Sequence, residues 1–115
     1  MATMELNNKS WKAFSQSDYA VIDCYGDQCV ACVILEPVFD AIADELHEIS
    51  FGRINISHCE DIANAYQIAA MPTLLYFRNG ELVGRTAGSM EKEELLKNLS
   101  KLLYSDEAFL EDDAL

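Results

Sequence analysis

The sequence predicts one α/β domain, a central mixed β-sheet of four to five strands with helices on both faces. Three observations carry that expectation. YAVIDCY (19–25) and PTLLYFR (72–78) are apolar runs rich in β-branched and aromatic residues, and they read as buried strands. Strand-like and helix-like segments alternate through the earlier part of the chain, which calls for parallel strands joined by helices. An Asn-Gly pair at 79–80 then joins two strand-like runs and marks a hairpin. With 115 residues, 50% of them hydrophobic, the chain has enough apolar surface for one core and no room for a second.

In chain order, residues 3–6 form a weak strand and a short helix contains Trp11 and Phe14. Residues 19–25 are the first strong strand. After the Gly26-Asp27 turn, Cys29 to about His47 reads as a helix, because Leu35, Val38, Phe39, Ile42 and Leu46 recur at helical spacing. Pro37 falls inside it, removes a hydrogen bond and is expected to kink it. ISFGRINIS (49–57) alternates as a strand, EDIANAYQI (60–68) is a short helix, and 72–78 and ELVGRTAG (81–88) are the arms of the hairpin. SMEKEELLKNLSKLL (89–103) is an amphipathic helix, with Ser89 expected as its N-cap, acids in its first turn, and Leu95, Leu96, Leu99, Leu102 and Leu103 on one face. The domain is expected to span 1–104, followed by an acidic tail at 105–115 that is either a short helix anchored by Phe109 and Leu110 or disordered.

The formal net charge is -12, and five of the twenty acids (Asp106, Glu107, Glu111, Asp112, Asp113) lie in the last ten residues with no base among them. Phosphate backbones and anionic lipid surfaces attract cations, so neither nucleic acid nor a membrane is an expected partner. No run approaches the roughly 20 apolar residues that span a bilayer. MATMELNNKSW lacks a basic leader followed by an apolar core, so the expected location is cytoplasmic.

The chain has four cysteines, at 24, 29, 32 and 59. Cys29 and Cys32 form a Cys-x-x-Cys pair, which can be half of a zinc site, a redox pair or an accident of a buried helix. In the cytosol such a pair is more often catalytic or metal-binding than structural. Asp23 lies inside the first strong strand, where a carboxylate is costly unless it has a partner or a purpose.

Taken with their order and spacing, three segments resemble the thioredoxin family over about residues 4–103. VIDCYGDQCVAC stands where that family has a buried strand followed by Trp-Cys-Gly-Pro-Cys. MPTLLYFRNGEL stands at its cis-proline, central strand and Asn-Gly hairpin, and AGSMEKEEL at the glycine before its last helix. The resemblance implies a thioredoxin fold and a thiol–disulfide oxidoreductase that reduces protein disulfides, with no cofactor and no metal. It assigns Cys29 as nucleophile and Cys32 as resolving cysteine, the two forming the redox-active disulfide. Asp23 becomes the buried acid that accepts a proton from Cys32, and Pro37 the proline of the active-site helix. Substrate would be met by Met71, the cis-proline Pro72, Gly88, and the residues Gln28, Val30 and Ala31 around the thiols. The implied partners are disulfide-containing client proteins and an electron donor such as thioredoxin reductase, with the chain acting as a monomer. Arg53 stands where the family usually has a lysine near the buried acid. Lysine can shed its proton and arginine effectively cannot, which puts a proton relay through that position in doubt.

The residue types suit the chemistry. Disulfide exchange needs a thiolate, and a cysteine at a helix start has its thiolate favoured by unpaired N–H groups and the helix dipole. An offset of three residues brings Cys32 to the same helix face. Cys32 must lose a proton before it attacks a mixed disulfide, and a buried carboxylate with a raised pKa can take it. In the family the chain resembles, the residue before the cis-proline offers its backbone to an extended substrate strand, a role the resemblance gives to Met71.

Several positions depart from the family pattern. Val30-Ala31 replaces Gly-Pro, and the N–H gained at Ala31 is expected to favour the Cys29 thiolate and give a less reducing pair. Gln28 and Tyr25 replace tryptophans, so a more polar surface around the thiols is expected. Trp11 is the only tryptophan; it is assigned to the core, far from Cys29, and is expected to report redox state poorly. Cys24 reads as a small buried hydrophobe and Cys59 as a partly exposed loop residue. His47 reads as a helix C-terminal residue without a catalytic role.

Three other functions compete. A zinc site from Cys29, Cys32, His58 and Cys59 would need four converging ligands, but its second pair is adjacent rather than spaced. A redox-inactive binding module on the same fold would be expected to have lost one cysteine of the pair. A more oxidising disulfide oxidase or isomerase shares all of these residues.

Overall fold

The computed structural model describes residues 2–105 and 109–110. Its elements follow the expected order: β1 (Thr3–Leu6), α1 (Trp11–Phe14), β2 (Tyr19–Tyr25), α2 (Val30–Glu45), β3 (Ser50–Asn55), α3 (Asp61–Tyr66), β4 (Thr73–Arg78), β5 (Glu81–Ala87), α4 (Lys92–Tyr104) and a two-residue β6 (Phe109–Leu110). The sheet order is β1-β3-β2-β4-β5-β6. β1 and β2 each run parallel to β3, while β4 is antiparallel to both β2 and β5. This is a mixed five-stranded sheet with helices on both faces, extended by the short β6.

Alternation along β2 divides the core in two, because successive side chains of a strand point to opposite faces. Val21 joins Leu35, Phe39 and Ile42 of α2 and Leu95, Leu99 and Leu102 of α4 on one face. Ala20, Ile22 and Cys24 join Trp11, Ile62, Leu75 and Phe77 on the other, under α1 and α3. Trp11 and Phe77 both meet Tyr66 edge to face, with ring centroids 5.9 Å apart in each pair.

α2 buries Cys32, Leu35, Phe39, Ile42 and Ala43, a stripe at helical spacing that carries Cys32 toward the sheet. Pro37 lies within this helix, which continues through it to Glu45. The β4–β5 hairpin turns at Asn79 (φ 53°) and Gly80 (φ 85°), the positive pair that suits Asn-Gly in a two-residue turn.

Two expectations are corrected. Ser89 does not cap α4: the helix starts at Lys92 with Glu91 in the cap position and no side-chain cap bond, although Glu93 and Glu94 occupy its first turn as expected. Met90 explains the shift, since its side chain is buried in the core and the chain needs residues 88–91 to deliver it there. In the tail, Phe109 and Leu110 do not form a helix but pair in parallel with Gly84 and Arg85 of β5. Residues 106–108 and 111–115 of that tail lie outside the described residues.

Candidate functional site

β2 leads directly into the site. After Tyr25 the chain passes through a short loop in which Gln28 takes a left-handed conformation (φ 54°) and is exposed. Cys29 follows in the extended conformation (φ -118°, ψ 101°) as the N-cap of α2. Its Sγ accepts a hydrogen bond from the Cys32 N–H at 3.2 Å, one of the orphan donors of the first turn. Cys29 and Cys32 are joined by a disulfide with their Cα atoms 5.3 Å apart. Cys32 is buried and Cys29 only partly so. Ala31 makes no hydrogen bond to the sulfur in this oxidised form, so the extra donor expected there is not engaged.

The opposite wall is the start of β4. The Met71–Pro72 bond is cis, Pro72 is buried and Met71 is exposed. The Met71 carbonyl oxygen lies 3.7 Å from Cys29 Sγ; a disulfide sulfur has no proton to donate, so this is a contact that a thiol could turn into a hydrogen bond. The Gly88 N–H donates to the Pro72 carbonyl at 2.8 Å, tying the end of the hairpin to the same wall. The Met71 side chain packs beside Gly26, where an added Cβ would collide with the thioether. The structure therefore brings Cys29, Cys32, Met71, Pro72 and Gly88 together, with Gln28, Val30 and Ala31 bordering the disulfide.

Asp23 shares a β2 face with Val21 and so points toward α2. It is fully buried, and neither carboxylate oxygen has a hydrogen-bond partner among the described residues. Burial pushes its pKa up to about 7; Arg53 opposes the rise, while Glu36, Asp40 and Glu5 add to it. Arg53 is the direct cross-strand partner of Asp23 in the β2–β3 register. Its guanidinium nevertheless bonds Glu36 Oε2 at 3.0 Å and lies over the Tyr25 ring at 4.1 Å. Tyr25 in turn donates its hydroxyl to Glu5 at 2.6 Å.

A second network escaped the sequence reading. The Asp27 N–H donates to Ser57 Oγ at 3.0 Å, and its carboxylate accepts from Asn55 Nδ2 at 3.0 Å and meets His58 Nε2 at 2.8 Å. These contacts lash the redox loop to the turn after β3. The Asn55 bond, with His58 beside it, holds the Asp27 carboxyl below its ordinary value. His58 is thus engaged with a carboxylate. Among the described residues no three His, Cys, Asp or Glu side chains gather as a metal site.

The exposed surface beside the disulfide mixes polar and apolar side chains. Gln28 is exposed, but so are Val30 (74%), Val33 (67%) and Ile34 (59%) on the outer face of α2. A groove of about 430 Å³ continues from Ile34 between α2 and the start of α4, lined by Val38, Ser89, Met90, Glu91 and Lys92. Cys24 is fully buried on the far face, where desolvation drives its thiol far above the ordinary value. Cys59 is half-buried in the loop after β3 against that same far-face core. The His47 ring contacts the Asp44 carbonyl in the last turn of α2, as expected of a C-terminal helix residue.

Comparison with known proteins agrees with this geometry. The sequence model of the family described as Thioredoxin matches residues 2–101. A thioredoxin of Chlamydia trachomatis serovar D is 33% identical over 85 residues, 74% of this chain and 83% of that protein. A thioredoxin of Chlamydia pneumoniae is 29% identical over 96 residues, 84% of this chain and 94% of that protein. Among solved structures, a mutant thioredoxin from Halobacterium salinarum superposes with a TM-score of 0.81 at 24% identity, covering 87% of this chain and 89% of that one. A Malassezia sympodialis thioredoxin gives 0.79 at 23% identity, covering 86% and 89%.

Proposed function

The chain belongs to the thioredoxin family of thiol–disulfide oxidoreductases, and from that premise we propose that it works as a protein-disulfide reductase through Cys29 and Cys32. The observation that carries the reading is the asymmetry of the pair: Cys29 is partly exposed at a helix N-terminus and Cys32 is buried behind it. A nucleophile must reach an incoming disulfide, whereas a resolving thiol needs only to reach its neighbour.

In the dithiol form the Cys29 thiolate attacks a client disulfide. One client sulfur leaves and takes up a proton, and a mixed disulfide remains at Cys29. Cys32 then gives its proton to Asp23 and attacks the Cys29 sulfur. The second client sulfur leaves as a thiolate and is protonated, and the Cys29–Cys32 disulfide closes. Two electrons pass from the protein to the client, and a dithiol donor such as thioredoxin reductase must restore them. A carboxyl with a pKa of about 7 suits the proton step, since near neutrality it can both accept and release a proton. The Met71 backbone would receive the client chain as an added strand, with Pro72, Gly88, Gln28, Val30 and Ala31 around it.

We place this activity in the cytoplasm, in a monomer that uses no metal and no cofactor; no described helix is long and apolar enough to cross a membrane. Insulin reduction with dithiothreitol as donor tests the proposal. The wild type should accelerate it and Cys29→Ser should run at the uncatalysed rate. Turnover surviving in Cys29→Ser would refute the assignment.

A further inference from the structure

Arg53 and Asp23 present an anomaly. They are direct neighbours across the β2–β3 register and share a face. Each has unused hydrogen-bonding capacity: both Asp23 oxygens and the Arg53 Nε are buried without partners among the described residues. A buried carboxylate and a buried guanidinium so placed would ordinarily form a bidentate pair, and a one-sided contact leaves polar groups unpaired at some cost. Instead the guanidinium forms no ion pair with Asp23. It lies over the Tyr25 ring and donates to Glu36 on α2, one turn beyond Cys32.

We propose that Glu36 is a positioning residue for the proton step at Cys32: it draws the Arg53 guanidinium to its own carboxylate and so keeps Asp23 from being locked as the anion of an ion pair. This inference rests on the reading of Asp23 as the acceptor for the Cys32 proton. An Asp23 paired to Arg53 would stay ionised well below neutrality, and the proton of Cys32 would have no nearby base of matched strength. Glu36 is half-exposed and Arg53 largely buried, with side-chain exposures of 44% and 15%. The pair therefore sits at the rim of the site, with the carboxylate on the solvent side and the cation within.

The charged and titratable groups around Asp23 come from three surrounding elements and from β2 itself. β3 supplies Arg53, α2 supplies Glu36 and Asp40, and β1 supplies Glu5. On β2 itself, Tyr25 interacts with both Asp23 and Arg53. The remaining neighbour, β4, opposes Asp23 with the apolar Leu74. Thr3 bonds Asp40 at 2.9 Å and Tyr25 bonds Glu5, so these two acids have partners of their own. Glu36 is the acid that engages the cation beside Asp23.

The test is a double-mutant cycle read on Asp23 itself. In the oxidised full-length protein labelled with carboxyl-¹³C aspartate, the Asp23 signal is assigned by its loss in Asp23→Asn and titrated by NMR. Glu36→Gln keeps a hydrogen-bond acceptor of the same shape and removes the charge. It should lower the Asp23 midpoint by about half a unit to one unit. Arg53→Met should raise the midpoint. In the Arg53→Met background, Glu36→Gln should cause a clearly smaller drop, because there is no cation left to release. The pH profile of the second step, followed by release of a mixed disulfide at Cys29, should move with the midpoint. No shift in Glu36→Gln, or an equal shift with and without Arg53, overturns the proposal. If Asp23→Asn instead leaves that pH profile unchanged, the reading of Asp23 as proton acceptor fails, whatever the cycle shows.

Discussion

The two faces of the sheet are built to different standards. Under α1 and α3 the face is mostly apolar: Trp11, Ile22, Leu75 and Phe77 close around Cys24, whose thiol is buried, while Arg85 reaches in to donate to the Tyr66 carbonyl at 2.7 Å. Under α2 and α4 the same strands carry Asp23, which has no hydrogen-bond partner among the described residues, and a buried Tyr76–Thr86 hydroxyl pair at 2.9 Å. Asp23 and Cys24 are adjacent in sequence, and strand alternation alone sends the acid to one face and the inert thiol to the other. The lesson is a division of labour. One face supplies rigidity, and that rigidity lets the other hold a costly group where the chemistry needs it.

If that division is right, damage to each face should read out differently. Phe77→Ala on the face under α1 and α3 should cost about 3–5 kcal/mol in urea unfolding while leaving the turnover of the folded fraction unchanged. A large activity loss in folded Phe77→Ala would break the comparison. Asp23→Asn should do the opposite, stabilising the protein while slowing the second chemical step. The folded pKa of Asp23 is raised from 3.8 to about 7, so the folded state holds a proton that the unfolded state has released. Its contribution to stability is complete below about pH 4 and is lost as pH rises through about 7, a swing of about 4 kcal/mol. An amide in the same unpaired slot takes back part of that, leaving a net gain of about 2–3 kcal/mol at pH 8 and little at pH 4. Denaturant midpoints at the two pH values measure it, and equal midpoints for wild type and variant at pH 8 would contradict it.

Smaller effects sharpen the picture. Gly88 sits at φ 92°, so Gly88→Ala should cost about 1–2 kcal/mol from the left-handed backbone and weaken the bond to the Pro72 carbonyl. Ala31→Pro should make the pair more reducing by on the order of 30 mV, with the wild type lying above the roughly -270 mV of thioredoxin. Equilibration with glutathione reads both values, and a wild-type potential at or below that figure would remove any special role for Val30-Ala31. The smallest expected signal is the emission of Trp11. It lies in the far-face core and should change little on reduction, so a strong redox-linked change would mean that the faces are coupled.

Much of this was legible in the sequence. Strand β2 was read with both boundaries correct, because YAVIDCY is apolar between turn residues. The hairpin followed from Asn79-Gly80, and Asp23 stood out as an acid in an apolar run. Ser89 misled because a capping residue and an acidic first turn are local signals, whereas Met90 enters the core for a tertiary reason. The Phe109–Leu110 strand was missed because a two-residue pairing at a sheet edge has no periodicity to detect. The Arg53–Glu36 and Asp27–His58 contacts were invisible because each joins elements that only the fold brings together.

The account stands on Cys29 being the group that meets the client disulfide while Cys32 waits behind it. The most direct test is to remove the resolving thiol and trap the intermediate. Reduced Cys32→Ser is mixed with a disulfide-containing client and the adduct is mapped by peptide mass spectrometry without reductant. The account predicts a stable mixed disulfide on the peptide bearing Cys29. An adduct on Cys24 or Cys59, or none on Cys29, would contradict it.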